Sequence, residues 1–93
     1  MDKLTVYAFV PRALRNNPGL KPSWRFIIFK GKAVVWDKEN EEIQATGWEK
    51  KVDNNCRETT EALPKRLVMS RRLYHNVSGD TREILQTLNV TIV

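Results

Sequence analysis

The sequence predicts an α+β fold in which a three-stranded antiparallel meander leads through a helical crossover into a C-terminal strand. Short apolar runs rich in β-branched and aromatic residues occur at residues 4–10, 24–30 and 33–36, which is typical of strands. Apolar positions then recur at helical spacing over residues 56–74, and a β-branched run closes the chain at residues 90–93. We therefore expect about four strands and about two helices, with the last strand parallel to the first.

The strands are predicted from their side-chain patterns. Residues 4–10 (LTVYAFV) carry apolar side chains on both faces, so we expect a central strand. Residues 24–30 and 33–36 flank a Lys-Gly-Lys turn and predict a β-hairpin. Residues 43–52 extend or resume the outer strand.

Turn and capping residues predict the connections. Residues 12–23 contain Asn-Asn-Pro-Gly and a further proline, which predict a basic loop. Asp53 is a candidate N-cap for one amphipathic helix that continues to Tyr74, with a bend near Leu63 because Pro64 follows in the helix interior. Asp80 opens a capping box and predicts a second short helix over residues 81–88.

Length and composition limit the classes of protein. A chain of 93 residues can form one domain with a small core, so we expect a single domain over residues 1–93. Cys56 and His75 are single residues of their types, which excludes an internal disulfide and a zinc cluster. No signal sequence or membrane-spanning run is present, and we expect a cytoplasmic protein with no membrane partner and no cofactor.

The charge pattern favours a polyanionic partner. The chain has 16 Lys and Arg against 11 Asp and Glu, a net charge of +5. The basic residues concentrate in residues 12–32 and 65–72, whereas residues 37–49 are mainly acidic. Such basic clusters are either solvated faces or contacts for nucleic-acid phosphates.

Several motifs in chain order resemble ribonuclease H, the nuclease family that cuts the RNA strand of an RNA–DNA hybrid. Residues 7–11 stand where that family has Tyr-x-Asp-Gly-Ser, and residues 17–19 supply its Asn-Pro-Gly loop. Residues 54–58 (NNCRE) are similar to its Asn-Asn-x-x-Glu helix start, and residues 89–93 to its fourth strand. The resemblance implies a truncated ribonuclease H-like fold.

The departures from the family pattern imply that catalysis is lost. Phe9 occupies the position of the first metal-binding carboxylate, and Glu58 matches the second. The sequence ends at Val93, where the strand carrying the third would continue. Because two-metal cleavage needs several carboxylates, Glu58 is interpreted as a remnant, with no catalytic residue and no metal site expected.

The preferred function is therefore a non-catalytic module that binds RNA or an RNA–DNA hybrid and regulates or blocks a nuclease through its substrate. Basic side chains would meet phosphates, and side-chain amides would meet 2′-hydroxyls. The candidate binding residues are Arg12, Arg15, Asn16, Asn17, Lys21, Asn54, Asn55, Lys65, Arg66, Arg71 and Arg72.

Other interpretations remain open for the same residues. Asn54 and Asn55 can be a simple turn and cap, and the three tryptophans can be core residues or stacking platforms. The alternative function is a protein-interaction or inhibitor module. It would use residues 89–93 as an uncovered sheet edge that recruits a partner protein or a second copy as a homodimer.

Overall fold

The fold is an α+β arrangement of one mixed seven-stranded sheet with three short helices. The computed structural model describes residues 4–29, 32–46, 55–62 and 66–93, and the structural statements below concern those residues. In chain order the elements are β1 (Thr5–Phe9), α1 (Pro11–Asn16), β2 (Trp24–Phe29), β3 (Lys32–Asp37), β4 (Glu42–Thr46), β5 (Cys56–Glu58), β6 (Val68–Met69), α2 (Arg71–Tyr74), α3 (Gly79–Thr87) and β7 (Thr91–Ile92).

The sheet has the order β5-β1-β2-β3-β4-β6-β7. Strands β1 to β4 form an antiparallel meander, and β5 pairs antiparallel with the outer side of β1. Strands β6 and β7 continue the sheet in parallel with β4. The predicted meander of β1, β2 and β3 and the β2–β3 hairpin are confirmed, and β4 adds a fourth antiparallel strand with a bulge between Val35 and Trp36.

Successive side chains along each strand point to opposite faces of the sheet, and each face carries an apolar layer. The larger layer lies on the face covered by α2 and α3, where Val6, Ile27 and Val34 align across three strands. The opposite face holds a smaller cluster centred on Phe26 and Val35. The larger layer includes Trp36, which is only 4 % exposed and is therefore a core residue, unable to stack on a nucleobase.

Two helices depart from or refine the sequence predictions. The loop expected over residues 12–23 begins with α1, because Pro11 stands at the start of the helix, where its missing N–H has no intrahelical role. The second predicted helix is confirmed as α3. Its N-cap is Ser78, whose hydroxyl accepts the Thr81 N–H at 3.3 Å, and the cap predicted at Asp80 was wrong.

The long helix predicted from Asp53 to Tyr74 is wrong over most of its described length. Strand β5 occupies its start, β6 follows later, and only α2 is helical. Sheet pairing outweighs the helical pattern because β5 covers the open edge of β1. The Thr59 hydroxyl also accepts the Glu61 N–H at 3.1 Å, a local turn that competes with a helix. Asp53 and Pro64 lie outside the described residues.

The C-terminal strand lies at a sheet edge, as predicted, but its parallel alignment with the first strand is wrong. β7 pairs with β6, at the opposite end of the sheet from β1. It runs parallel to β4 and β6, hence opposite to β1, because β1 and β4 are separated by three antiparallel pairings. β6 pairs with the open side of β4, and α2 and α3 then return the chain to the open side of β6, where β7 pairs.

Candidate nucleic-acid interface

The first predicted basic cluster lies on α1 and the turn after it. Arg12, Arg15, Asn16, Asn17 and Lys21 are all exposed there. The sequence contains no acidic residue between positions 3 and 36, so no carboxylate lies close to this cluster in the chain. The side-chain amide of Asn17 donates to the Ala13 carbonyl at 3.0 Å, which commits it to ending the helix.

Asn55 belongs to the same corner of the molecule. Its carbonyl accepts the Val10 N–H at 3.0 Å, so the turn before β5 is joined to the residue that precedes α1. Asn55 is exposed, but it lies in a turn that leads into a strand and not at a helix mouth. Asn54, its predicted companion, lies outside the described residues. We call the set Arg12, Arg15, Asn16, Lys21 and Asn55 the α1 corner.

The second predicted basic cluster is remote from the α1 corner. Arg66 precedes β6, and Arg71 and Arg72 lie on α2; all are exposed, and Lys65 lies outside the described residues. Strands β1 and β6 are separated by four strand intervals, which correspond to about 19 Å at the usual spacing. The structure therefore divides the predicted basic surface in two.

Two other cations near the α1 corner, Arg25 and Lys38, are paired with the same carboxylate. Arg25 donates from Nε and Nη2 to the Glu61 carboxylate at 2.7 and 2.9 Å, and Lys38 Nζ lies 3.2 Å from the same group. The Arg25 guanidinium holds the pKa of Glu61 below its usual value, with help from Lys38 and against the effect of partial burial. Lys32, at the opposite end of the strands from the α1 corner, pairs with Asp80 at 3.6 Å. Sequence reasoning missed Glu61 because its partners lie far away in the chain.

Glu58, the predicted catalytic remnant, lies on the edge strand β5. It is exposed and pairs in register with Tyr7, while Phe9 pairs with Cys56. Among residues 4–29, 32–46, 55–62 and 66–93, no group of three or more His, Cys, Asp or Glu side chains is placed to hold a metal ion.

A pocket of about 280 Å³ between α2, α3 and β7 was not predicted. Its apolar lining comes from Leu85, Val90 and Ile92, and Tyr74, Arg82, Gln86 and Asn89 supply the polar lining. Arg82 lies over the Tyr74 ring, 5.2 Å from the ring centre. The signal in the sequence is the spacing of Arg82 and Gln86, which places both on one side of α3.

Comparisons with known proteins give no relative: no family model, curated protein or solved structure matches the chain. The resemblance to ribonuclease H therefore stays a prediction. In the described part of the chain, none of the helices has the length and apolar character needed to cross a bilayer.

Proposed function

We propose that this protein is a non-catalytic RNA-binding module that takes single-stranded RNA or the RNA strand of an RNA–DNA hybrid at the α1 corner. The observation that carries the proposal is the exposed group of Arg12, Arg15 and Lys21 in a stretch without acidic residues. None of these three side chains has an ion-pair partner among the described residues. They are therefore available to phosphates without first breaking a salt bridge.

Each residue type in the corner has a distinct role in the proposal. The arginines and lysine replace counterions on the phosphates, which provides most of the affinity. The side-chain amides of Asn16 and Asn55 both donate and accept hydrogen bonds, as a 2′-hydroxyl requires. Charge and exposure support this proposal more directly than the ribonuclease H resemblance does, because Asn55 precedes a strand.

The electrostatic part of the proposal is tested by titrating labelled single-stranded RNA at several salt concentrations. Arg12→Gln, Arg15→Gln and Lys21→Gln should each reduce the slope of log affinity against log salt by about one. Lys32→Gln is the control: it removes one charge that is paired with Asp80 at the start of β3, at the opposite end of the strands from the α1 corner, and should leave the slope unchanged. A salt-independent affinity, or equal effects of all four substitutions, would contradict the proposal.

The non-catalytic part needs a separate assay. An RNA–DNA hybrid incubated with stoichiometric protein and Mg²⁺ should remain intact, because the described part of the chain places no group of three or more His, Cys, Asp or Glu side chains to hold a metal ion. Cleavage products that disappear in Glu58→Gln would show an active site and overturn this part alone.

Interaction with a protein through β7 is the second candidate function. It is favoured by the position of β7 as the last strand of the sheet, which leaves one side of its backbone open. The partner would be another protein, such as a nuclease to be inhibited, or a second copy of this chain. Sedimentation of the protein alone, at the concentrations of the RNA titration, distinguishes these two partners. Only pairing with a second copy predicts a dimer when no other protein is added.

A further inference from the structure

We infer that the groove between α3 and β7 binds an extended acidic peptide by strand addition, with one carboxylate side chain of the peptide held by Arg82. The inference rests on the second candidate function, because it needs the edge of β7 to be open. It adds the chemical class of the partner and the pocket that would recognise it.

The backbone of β7 can pair with one more strand. The N–H groups of Thr91 and Val93 donate inward to Leu67 and Met69, both at 2.9 Å. Because peptide groups alternate along a strand, the N–H and C=O of Ile92 point to the open side. β7 has no neighbour beyond it in the described sheet. An added strand can therefore exchange a pair of hydrogen bonds with Ile92.

The pocket lies where a side chain of the added strand would enter. Residues opposite each other in paired strands direct their side chains to the same face of the sheet. The side chain of Ile92 packs on the face covered by α2 and α3 and lines the pocket. The peptide residue opposite Ile92 would therefore direct its side chain into the pocket, whose volume of about 280 Å³ is small for a separate ligand.

The positive charge of Arg82 favours an acidic peptide side chain in the pocket. Arg82 is exposed, has no carboxylate partner among the described residues and is oriented by its contact with Tyr74. None of the described residues that line the pocket is acidic, and Gln86 and Asn89 add amide donors beside Arg82. A glutamate has an apolar stem for Leu85 and a carboxylate for the guanidinium.

A second copy of the chain is a poorer occupant of the same groove. Its own edge strand offers Thr91 and Ile92, neither of which is acidic. Pairing two copies would also bring together the cationic surfaces that include Arg71, Arg72 and Arg82, because these residues lie on the helices beside the edge. The repulsion between them opposes a symmetric dimer and favours an acidic partner.

The test compares two labelled peptides of about eight residues that alternate Val and Thr, one with a central Glu and one with a central Gln. On the unmodified protein the Glu peptide should bind about tenfold more tightly, a modest coupling for a charge pair across an interface. Arg82→Gln should remove that difference, and Lys32→Gln should preserve it. Amide NMR signals of Ile92 and its neighbours should shift with either peptide.

Each part of the inference is contradicted by a different experimental result. Equal binding of the two peptides to the unmodified protein would overturn the role of Arg82 while leaving strand addition intact. An unchanged Ile92 signal with both peptides would overturn the edge site itself. Displacement of the peptide by single-stranded RNA would assign the groove to RNA, and a dimer that excludes the peptide would assign it to a second copy; either result overturns the inference.

Discussion

Arg25 and Glu61 connect two parts of the chain that no regular element joins. Arg25 lies on β2 and Glu61 in the irregular segment after β5, so their two hydrogen bonds hold that segment to the sheet. The Arg25 side chain is only 12 % exposed, whereas Glu61 remains 34 % exposed. Solvent therefore screens the pair in part, and its contribution to stability is smaller than that of a fully buried pair.

Replacing Glu61 by Gln should lower the free energy of unfolding by about 1 kcal/mol at neutral pH. Because the pKa of Glu61 is lowered in the folded protein, its contribution is fully present well above 4.5. It should disappear as the pH falls below 4.5 and through the lowered folded-state pKa.

Chemical denaturation of both proteins across the acid range measures this difference. Glu58→Gln, which changes an exposed carboxylate without an ion-pair partner among the described residues, should show little difference at any pH. A difference between Glu61→Gln and the unmodified protein that persists at low pH would show that the carboxylate charge is not the cause.

At the scale of the elements, the turn between β3 and β4 combines a buried anchor with an unfavourable backbone conformation. Asp37 is 4 % exposed and accepts hydrogen bonds from the Glu39 N–H at 2.9 Å and the Asn40 amide at 3.0 Å. Burial opposes its charge, but these hydrogen bonds and that of Ser23 outweigh it and lower the pKa of Asp37. Glu41 then adopts a φ of 56°, a region that disfavours residues with a Cβ.

Glu41→Gly should therefore raise the free energy of unfolding by about 0.5 to 1 kcal/mol, because glycine adopts a positive φ without steric cost. Thermal unfolding measures the change. Glu39→Gly is the control in the same turn, without a positive φ, and should be destabilising. If both glycines destabilise the protein equally, the backbone conformation at Glu41 is not a source of strain.

The elements that sequence patterns predicted well are those whose partners are close in the chain. The β2–β3 hairpin and α3 have local signals: alternating apolar residues around a short turn, and a capping residue before an amphipathic run. Strand β5 was mistaken for a helix because its partner, β1, lies at the other end of the chain. Its residues alone satisfy a helical pattern, and only the open side of β1 favours a strand.

For the whole molecule, the distribution of charge predicts how RNA length affects binding. Measured along the strand direction, Arg66 and the α1 corner lie at the same level, because β1 ends and β6 begins there. Four strand intervals of about 4.8 Å separate them, and the charges along one strand of duplex DNA, used here as the scale for a nucleic-acid strand, are about 3.4 Å apart. An RNA of about six nucleotides is therefore needed to contact both.

Arg66→Gln should weaken binding of a single strand of about twelve nucleotides but leave one of about four nucleotides unaffected, whereas Arg15→Gln should weaken both. Fluorescence anisotropy with the two labelled RNAs measures the four affinities. Loss of binding to the short RNA in Arg66→Gln would contradict the separation between the clusters.

The candidate sites were predictable to different degrees for a similar reason. Exposure of Arg12 and Arg15 follows from their charge and the turn residues beside them, so sequence alone could suggest the α1 corner. The groove at β7 requires Tyr74, Arg82 and Ile92 to meet, and each comes from a different element. No local sequence pattern predicts the strand order that brings these elements together.

The pairing of β5 with β1 also affects the order in which the strands associate during folding. The longest connection within the meander of β1 to β4 is residues 10–23, whereas β5 closes a loop that contains the whole meander, which is slower on entropic grounds. The hydrogen bond from Val10 to Asn55 forms only when that loop closes. We therefore expect the α1 corner to be completed in a late folding step, after the meander that supports it has already formed.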